Sequence, residues 1–149
     1  MNDWSRRRTV LASVGSAVTL GLAGCLGLGD DGDIEEETYG DWFRGANGFE
    51  GTVDRTDADA VTVAVGAANG LAFDPAAVRI MTGTTVRWEW TGLGGSHNVR
   101  EEASEFESEY SIEEGATFEY QFDEPGVFRY VCDPHRTQGM IGAVEVITE

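Results

Sequence analysis

Apolar side chains occupy every second position in four stretches of the chain: Val61, Val63 and Val65; Val86, Trp88 and Trp90; Phe118, Tyr120 and Phe122; and Val144 with Val146. Between them stand Thr62 and Ala64, Arg87 and Glu89, Glu119 and Gln121, and Glu145. A period of two turns one face of each stretch toward a core and the other toward water, so each predicts a half-buried strand. Turn-forming residues separate the stretches, at Asn69-Gly70, Asp74-Pro75, Thr82-Gly83, Gly92 to Gly95, Glu114-Gly115 and Pro125-Gly126. No stretch carries a long helical period, which removes the crossover helices that the parallel sheet of an α/β fold needs. Short strands with frequent turns predict an all-β, antiparallel sandwich over residues 49–149.

The residues in front of this domain follow other rules. Arg6, Arg7 and Arg8 precede an apolar run from Val10 to Ala23, and Leu22-Ala23-Gly24-Cys25 closes it. The run suits a signal-peptide core and is shorter than the roughly 20 residues that span a bilayer. Arg7-Arg8-Thr9-Val10-Leu11 resembles a twin-arginine export signal, and Leu-Ala-Gly-Cys resembles a lipobox, in which Cys25 becomes a lipidated N-terminus. Residues 1–24 are therefore expected to be a signal peptide, and the mature chain to sit on the extracytoplasmic face of the membrane, anchored by lipid on Cys25. Residues 25–48 are acidic and Gly-rich without a sustained period, as expected of a flexible tether. Asp41-Trp42-Phe43 leaves open whether part of that tether docks on the domain as a short helical turn.

Charge changes the picture of the surroundings. The chain carries 27 acidic and 10 basic residues, a net −17, and all the basic residues are arginines. Removal of residues 1–24 takes away one acidic and three basic side chains and leaves a net −19. Such a surface repels nucleic-acid phosphates. At molar salt the Debye length shrinks to about 3 Å and the self-repulsion is screened, which points to a halophile. With 41% apolar residues and 10% aromatics the acidity decorates a folded core rather than a disordered chain.

The chemistry concentrates in YVCDPHRTQGM, residues 130–140. The chain has two histidines, His97 and His135, and Cys132 is the one cysteine after Cys25. His135 follows Cys132 by three residues and Met140 follows His135 by five, in the loop between two expected strands. His97 stands just after the glycine turn that closes the Val86 to Thr91 strand. Phe128, Tyr130 and Cys132 share one face by period two, so the thiol points into the end of the core. Alone, Cys132 would read as a small buried hydrophobe, and Met140, like Met81, as core filler. Together the residues form a His₂Cys set with a weak thioether, which matches blue copper better than the four strong ligands of zinc. Covalent haem would need Cys-x-x-Cys-His, which is absent.

With those residues in place, the chain resembles the cupredoxins, and among them the halocyanins of halophilic archaea. The resemblance rests on NGFEGTVDRT, LAFDPAAVRI, GTTVRWEWTG, GGSHNV, FRYVCDPH and GMIGAVEV, and on the spacing Cys132-x₂-His135-x₄-Met140, which is similar to that of plastocyanins. It covers about Asn47 to Thr148. It implies a Greek-key cupredoxin sandwich holding one type 1 copper ion that cycles between Cu(II) and Cu(I). His97, Cys132 and His135 would be the equatorial ligands and Met140 the axial one. Asn98 would join the two ligand loops by hydrogen bonds, and the carbonyl of Ser96 would lie on the far axial side.

The implied activity is electron transfer rather than catalysis, by a monomer that meets a redox protein donor and acceptor transiently. His135, ringed by Leu93, Gly94, Gly95, Pro134, Gly139 and Met140, would be the electron port within an uncharged docking patch. A copper enzyme would need further histidine-built sites, and both histidines are used. An extracytoplasmic copper carrier or buffer is the alternative; it would often show Met-rich tracts, and none occurs.

Overall fold

The computed structural model describes residues 38–149. The strands are β1 (Val53–Asp54), β2 (Ala60–Ala67), β3 (Ala72–Asp74), β4 (Ala77–Met81), β5 (Thr84–Trp90), β6 (Arg100–Glu101), β7 (Thr117–Phe122), β8 (Gly126–Val131) and β9 (Ile141–Ile147). They form two sheets, one in the order β1-β4-β9-β8-β6 and the other β3-β2-β5-β7. The expected signal peptide over residues 1–24, Cys25 and most of the expected tether lie outside the described residues. Among the described residues no helix is long and apolar enough to cross a membrane.

The alternating stretches become β2, β5, β7 and β9, with the expected faces inward. Val61, Val63, Val65, Val86, Trp88, Trp90, Val144 and Val146 are all buried. Each such side chain, removed from water, stabilises the fold by about 1.5–3 kcal/mol before conformational entropy is subtracted. Trp88 is fully buried at the middle of the core, with the rings of Phe106 and Tyr130 at 5.3 Å and Phe118 at 5.6 Å. Phe118 and Tyr120 are only partly buried, because β7 is the outer strand of its sheet and one flank faces solvent.

The sandwich is not purely antiparallel, which corrects the expectation from the sequence. β1 pairs with β4, β4 with β9 and β2 with β5 in parallel, whereas β2–β3, β5–β7, β6–β8 and β8–β9 are antiparallel. A parallel pair needs a long return path, and a helix is the usual one. Here the path runs through the opposite sheet: between β2 and β5 the chain visits β4, and between β4 and β9 it visits β5 and β7. The absence of helical periodicity therefore excludes an α/β fold but not parallel pairing.

The segment expected to be tether is partly ordered. Tyr39, Trp42, Phe43 and Phe49 pack on the outer face of the first sheet over Ala77 and Ala143. Phe43 stacks on Phe49 at 4.0 Å, Tyr39 meets Phe43 edge-on at 5.0 Å, and the Trp42 indole donates to the Gly142 carbonyl at 2.9 Å. The small side chains of Ala77 and Ala143 leave a shallow surface that the aromatic rings cover. For this reason β9 is buried on both faces from Ile141 to Val144 and loses the clean alternation of a half-exposed strand. The turn around Asp41-Trp42-Phe43 thus belongs to the domain, and residues 39–48 are not free chain.

Candidate metal centre

β5 and β8 belong to different sheets and end at the same pole of the sandwich. β8 delivers Cys132 and runs into a 3-10 turn, Asp133–Gln138, whose second residue is Pro134. Proline there presets φ and has no N–H to leave unpaired. The turn places His135 back over Cys132, the His135 N–H donating to the Cys132 carbonyl at 3.1 Å. The loop then closes on itself: Met140 N–H donates to the His135 carbonyl at 3.2 Å and Cys132 N–H to the Met140 carbonyl at 3.1 Å. From the other sheet, Thr91 to Ser96 turn the chain so that His97 points into the same pole. Gly70 and Gly94 make that turn possible, since a Cβ on Gly94 would run into the Gly70 carbonyl.

His97, Cys132 and His135 converge, with every candidate ligand atom within 4.8 Å of the others. The Cys132 Sγ lies 3.5 Å from Nδ1 of His97 and 3.5 Å from Nδ1 of His135. In a trigonal plane with metal–ligand bonds of about 2.0–2.3 Å, a sulfur and a nitrogen ligand stand about 3.6 Å apart. The sulfur and each of the two nitrogens therefore already have the spacing that an ion between them would require. Cys132 and His97 are fully buried, and His135 is partly exposed.

His97 is held from behind. His97 Nε2–H donates to the Leu93 carbonyl at 2.7 Å, which fixes the tautomer and leaves the Nδ1 lone pair facing Cys132. Trp90 Nε1–H donates to the His97 carbonyl at 3.1 Å. Burial pushes the His97 pKa below its ordinary value, with a smaller contribution from His135, so the imidazole is neutral and available to a cation. Burial pushes the Cys132 thiol up, opposed by the backbone N–H groups of Asn98 and His135. The thiolate thus needs a positive ion in the pocket, and binding one releases the proton.

Asn98, fully buried, links the loop of His97 to that of Cys132 by hydrogen bonds. Its Oδ1 accepts from the Asp133 N–H at 2.8 Å and its Nδ2 donates to Asp133 Oδ2 at 2.9 Å. The sequence reading missed the other half of this latch: Arg100 grips the Asp133 carboxylate with Nε at 2.9–3.0 Å and Nη2 at 2.8 Å. These bonds hold the Asp133 carboxyl below its ordinary pKa. An acid directly after the one cysteine of the domain was a visible signal, but its partner lies 33 residues earlier and only the fold joins them. Gly66 was missed too. A Cβ there would sit 2.7 Å from Thr91 Oγ1, 2.8 Å from the Leu93 carbonyl and 3.3 Å from His97 Nε2.

The expected docking patch is only partly on the surface. Leu93 is 56% exposed, and Gly94, Gly95 and Pro134 are exposed. Gly139 and Met140 are buried, which removes both from the outer face; Gly139 lies beneath the Gly45 carbonyl and the Asn47 side chain. Met140 is fully buried, at the end of the loop that carries Cys132 and His135. Ser96 is partly buried beside His97.

Comparison with known proteins gives the context for this pole. The family described as copper binding proteins, plastocyanin/azurin family, matches residues 60–147, the span from β2 to the end of β9. A halocyanin of Natronomonas pharaonis is 49% identical over 162 residues, covering 98% of this chain and 99% of the relative. A plastocyanin of Scenedesmus fuscus is 34% identical over 97 residues, covering 58% of this chain and 98% of the relative. Among solved structures, a mutant fern plastocyanin superimposes with a TM-score of 0.50 at 24% identity, over 57% of this chain and 98% of that one, which shows the cupredoxin fold. The cofactor is one type 1 copper ion, and the cluster of His97, Cys132 and His135 is its candidate site. The chain belongs to the plastocyanin/azurin family of copper binding proteins.

Proposed function

We propose that the protein is a blue copper electron carrier, lipid-anchored through Cys25 on the extracytoplasmic face of a halophile's membrane after twin-arginine export. His97, Cys132 and His135 are its equatorial ligands and Met140 its axial one, with the Ser96 carbonyl on the opposite side. The observation that carries this reading is the buried thiol with two imidazole Nδ1 atoms each 3.5 Å away. When bound, copper supplies a one-electron Cu(II)/Cu(I) couple, which a thiolate, two imidazoles and a distant thioether tune.

The chain's own residues contribute rigidity and access. The Leu93 carbonyl holds His97, the Asn98–Asp133 pair holds the Cys132 loop, and the two sheets fix the strands that deliver both. Ligands held this way move little between oxidation states, so little reorganisation opposes transfer. The partly exposed ring of His135 is the electron port, and Leu93, Gly94, Gly95 and Pro134 surround it without charge. At molar salt the acidic surface is screened, and a redox partner docks through this short-range apolar contact. Transient redox encounters are usually small, below about 1,200 Å² in total.

The alternative, a copper carrier or buffer, would need exchangeable ligands, and the full burial of His97 and Cys132 opposes exchange. Voltammetry of the copper-loaded full chain in molar salt separates the two. An electron carrier gives a reversible one-electron wave and keeps its copper against a Cu(I) chelator during repeated cycles. Loss of copper within a few cycles would favour the buffer. Unaltered bimolecular transfer rates after Leu93→Glu would remove the proposed docking patch while leaving the copper reading in place.

A further inference from the structure

Met140 is reached by the chain through two peptide groups whose carbonyls are tied to one distant residue. Asn47 Nδ2 donates to the Gln138 carbonyl at 2.8 Å and, with its other hydrogen, to the Leu71 carbonyl at 2.8 Å. The backbone N–H of Asn47 donates to the Gly139 carbonyl at 2.9 Å. Gly139 itself has a left-handed φ of 94°, and a Cβ on it would sit 2.6 Å from the Gly45 carbonyl and 3.2 Å from Asn47 Cγ. The two backbones are in contact there, so nothing but glycine fits between residue 45 and the ligand loop. The segment around Asn47 is in turn pinned to the outer face of the first sheet by Phe43, Phe49 and the Trp42–Gly142 hydrogen bond.

This segment precedes the matched family region, which begins at residue 60. On the Cys132 side the loop is latched by Asn98, Asp133 and Arg100, and on the His135 side by its own 3-10 turn. The last two peptide groups before Met140 give their N–H to the turn, Gly139 N–H to the Arg136 carbonyl and Met140 N–H to the His135 carbonyl, but their own carbonyls, on Gln138 and Gly139, accept from Asn47. From this we infer that Asn47 is a positioning residue for the axial ligand: the segment ahead of the sandwich clamps the loop and sets how closely the Met140 thioether approaches the metal. The inference rests on the reading of Met140 as the axial donor.

Cu(II) gains more from a fourth donor than Cu(I), which is satisfied by three. Loosening the clamp therefore weakens Cu(II) binding more and raises the reduction potential. Loss of a group that orients a ligand typically changes metal affinity by about 10-fold or more. A tenfold change confined to Cu(II) corresponds to about 59 mV for a one-electron couple.

The test is the reduction potential and visible spectrum of the copper-loaded full chain, together with amide exchange of the apoprotein, for Asn47→Ala, Met140→Leu and the double variant. Asn47→Ala is expected to raise the potential by about 59 mV, to change the relative strengths of the thiolate-to-copper bands and to speed exchange at Met140 in the apoprotein. In the Met140→Leu background the same substitution is expected to leave the potential unmoved, since the group it acts through is gone. Tyr39→Phe, which removes the hydrogen bond to Thr52 Oγ1 from the same segment, is the control and is expected to leave potential and spectrum unchanged. If Asn47→Ala does not fold, Asn47→Asp keeps the volume and the backbone bond but sets a carboxylate against two carbonyls, with the same sign of shift expected. A shift in Met140→Leu with none in either Asn47 variant overturns the clamp alone. An equal Asn47 shift with and without Met140 also overturns it, and a silent Met140→Leu overturns the axial assignment beneath it.

Discussion

Asp133→Ala and Arg100→Ala break the same ion pair, and the structure says their costs differ. Asp133 accepts from Arg100 and from Asn98 Nδ2. Asn98 is fully buried, and among the described residues this bond is the only one its Nδ2 makes. Removing the carboxylate leaves a buried donor without a partner, which costs about 1–3 kcal/mol. The guanidinium contact adds about 0.2–1 kcal/mol, because the pair's side chains are 26% and 28% exposed. Removing Arg100 forfeits only this second part, since the carboxylate keeps Asn98 and meets water. Asp133→Ala is therefore expected to cost about 1–4 kcal/mol and Arg100→Ala about 1 kcal/mol or less. Urea unfolding of the copper-free full chain measures both. With a slope of about 1.5 kcal/mol per M, the first variant loses about 2 M in midpoint and the second well under 1 M. The Arg100 cost shrinks as salt is raised, the Asp133 cost persists, and Asp133→Asn, whose amide oxygen still accepts from Asn98, recovers most of the loss. Equal costs for the two alanine variants, or an Asp133→Ala effect that vanishes in molar salt, would refute the reasoning.

Other expectations follow from the same pole. Gly66→Ala places a methyl against Thr91 Oγ1, the Leu93 carbonyl and His97 Nε2 at a φ of 96°, so it is expected to cost about 2–4 kcal/mol and to weaken copper binding about tenfold, measured by unfolding and by competition with a chelator. The copper-free protein is expected to be most stable between about pH 6.5 and 9. His97, with its folded pKa below the ordinary 6.5, contributes stability that is full above that value and lost as pH falls through the lowered one. Cys132, with its folded pKa above the ordinary 9.0, contributes stability that is full below that value and lost as pH rises through the raised one. Urea midpoints across this range check both arms, and His97→Phe is expected to flatten the acidic one. Phe43→Ala is expected to cost about 3 kcal/mol by uncovering Ala77 and Ala143, against almost nothing if residues 39–48 were free chain.

The sequence carried the strands of the core because Val63, Trp88 and Val144 each repeat a period of two that survives folding. It carried the candidate metal cluster because two histidines and one thiol had no competing candidates among residues 26–149. What it did not carry depends on contacts between distant positions. The parallel pairing of β2 with β5 comes from a return path through the second sheet, which leaves no local trace. Burial of Gly139 follows from Gly45 and Asn47, the latter 91 positions before the Gln138 carbonyl it holds, and burial of Met140 from the core of the sandwich. The packing of Phe43 on Phe49 was hidden for another reason: a few aromatics among glycines and acids have the composition of a tether until the small side chains they cover are known. Arg100 and Asp133 lie 33 positions apart, and their meeting beside Cys132 is a property of β6 lying next to β8.

The most direct measurement of the central claim is the visible absorption spectrum of the full chain titrated with Cu(II) in molar salt, beside Cys132→Ser. An intense blue thiolate-to-copper band is expected, saturating at one ion per chain, bleaching with ascorbate and absent from the serine variant. A colourless wild-type protein, or a band that persists without Cys132, would contradict the claim.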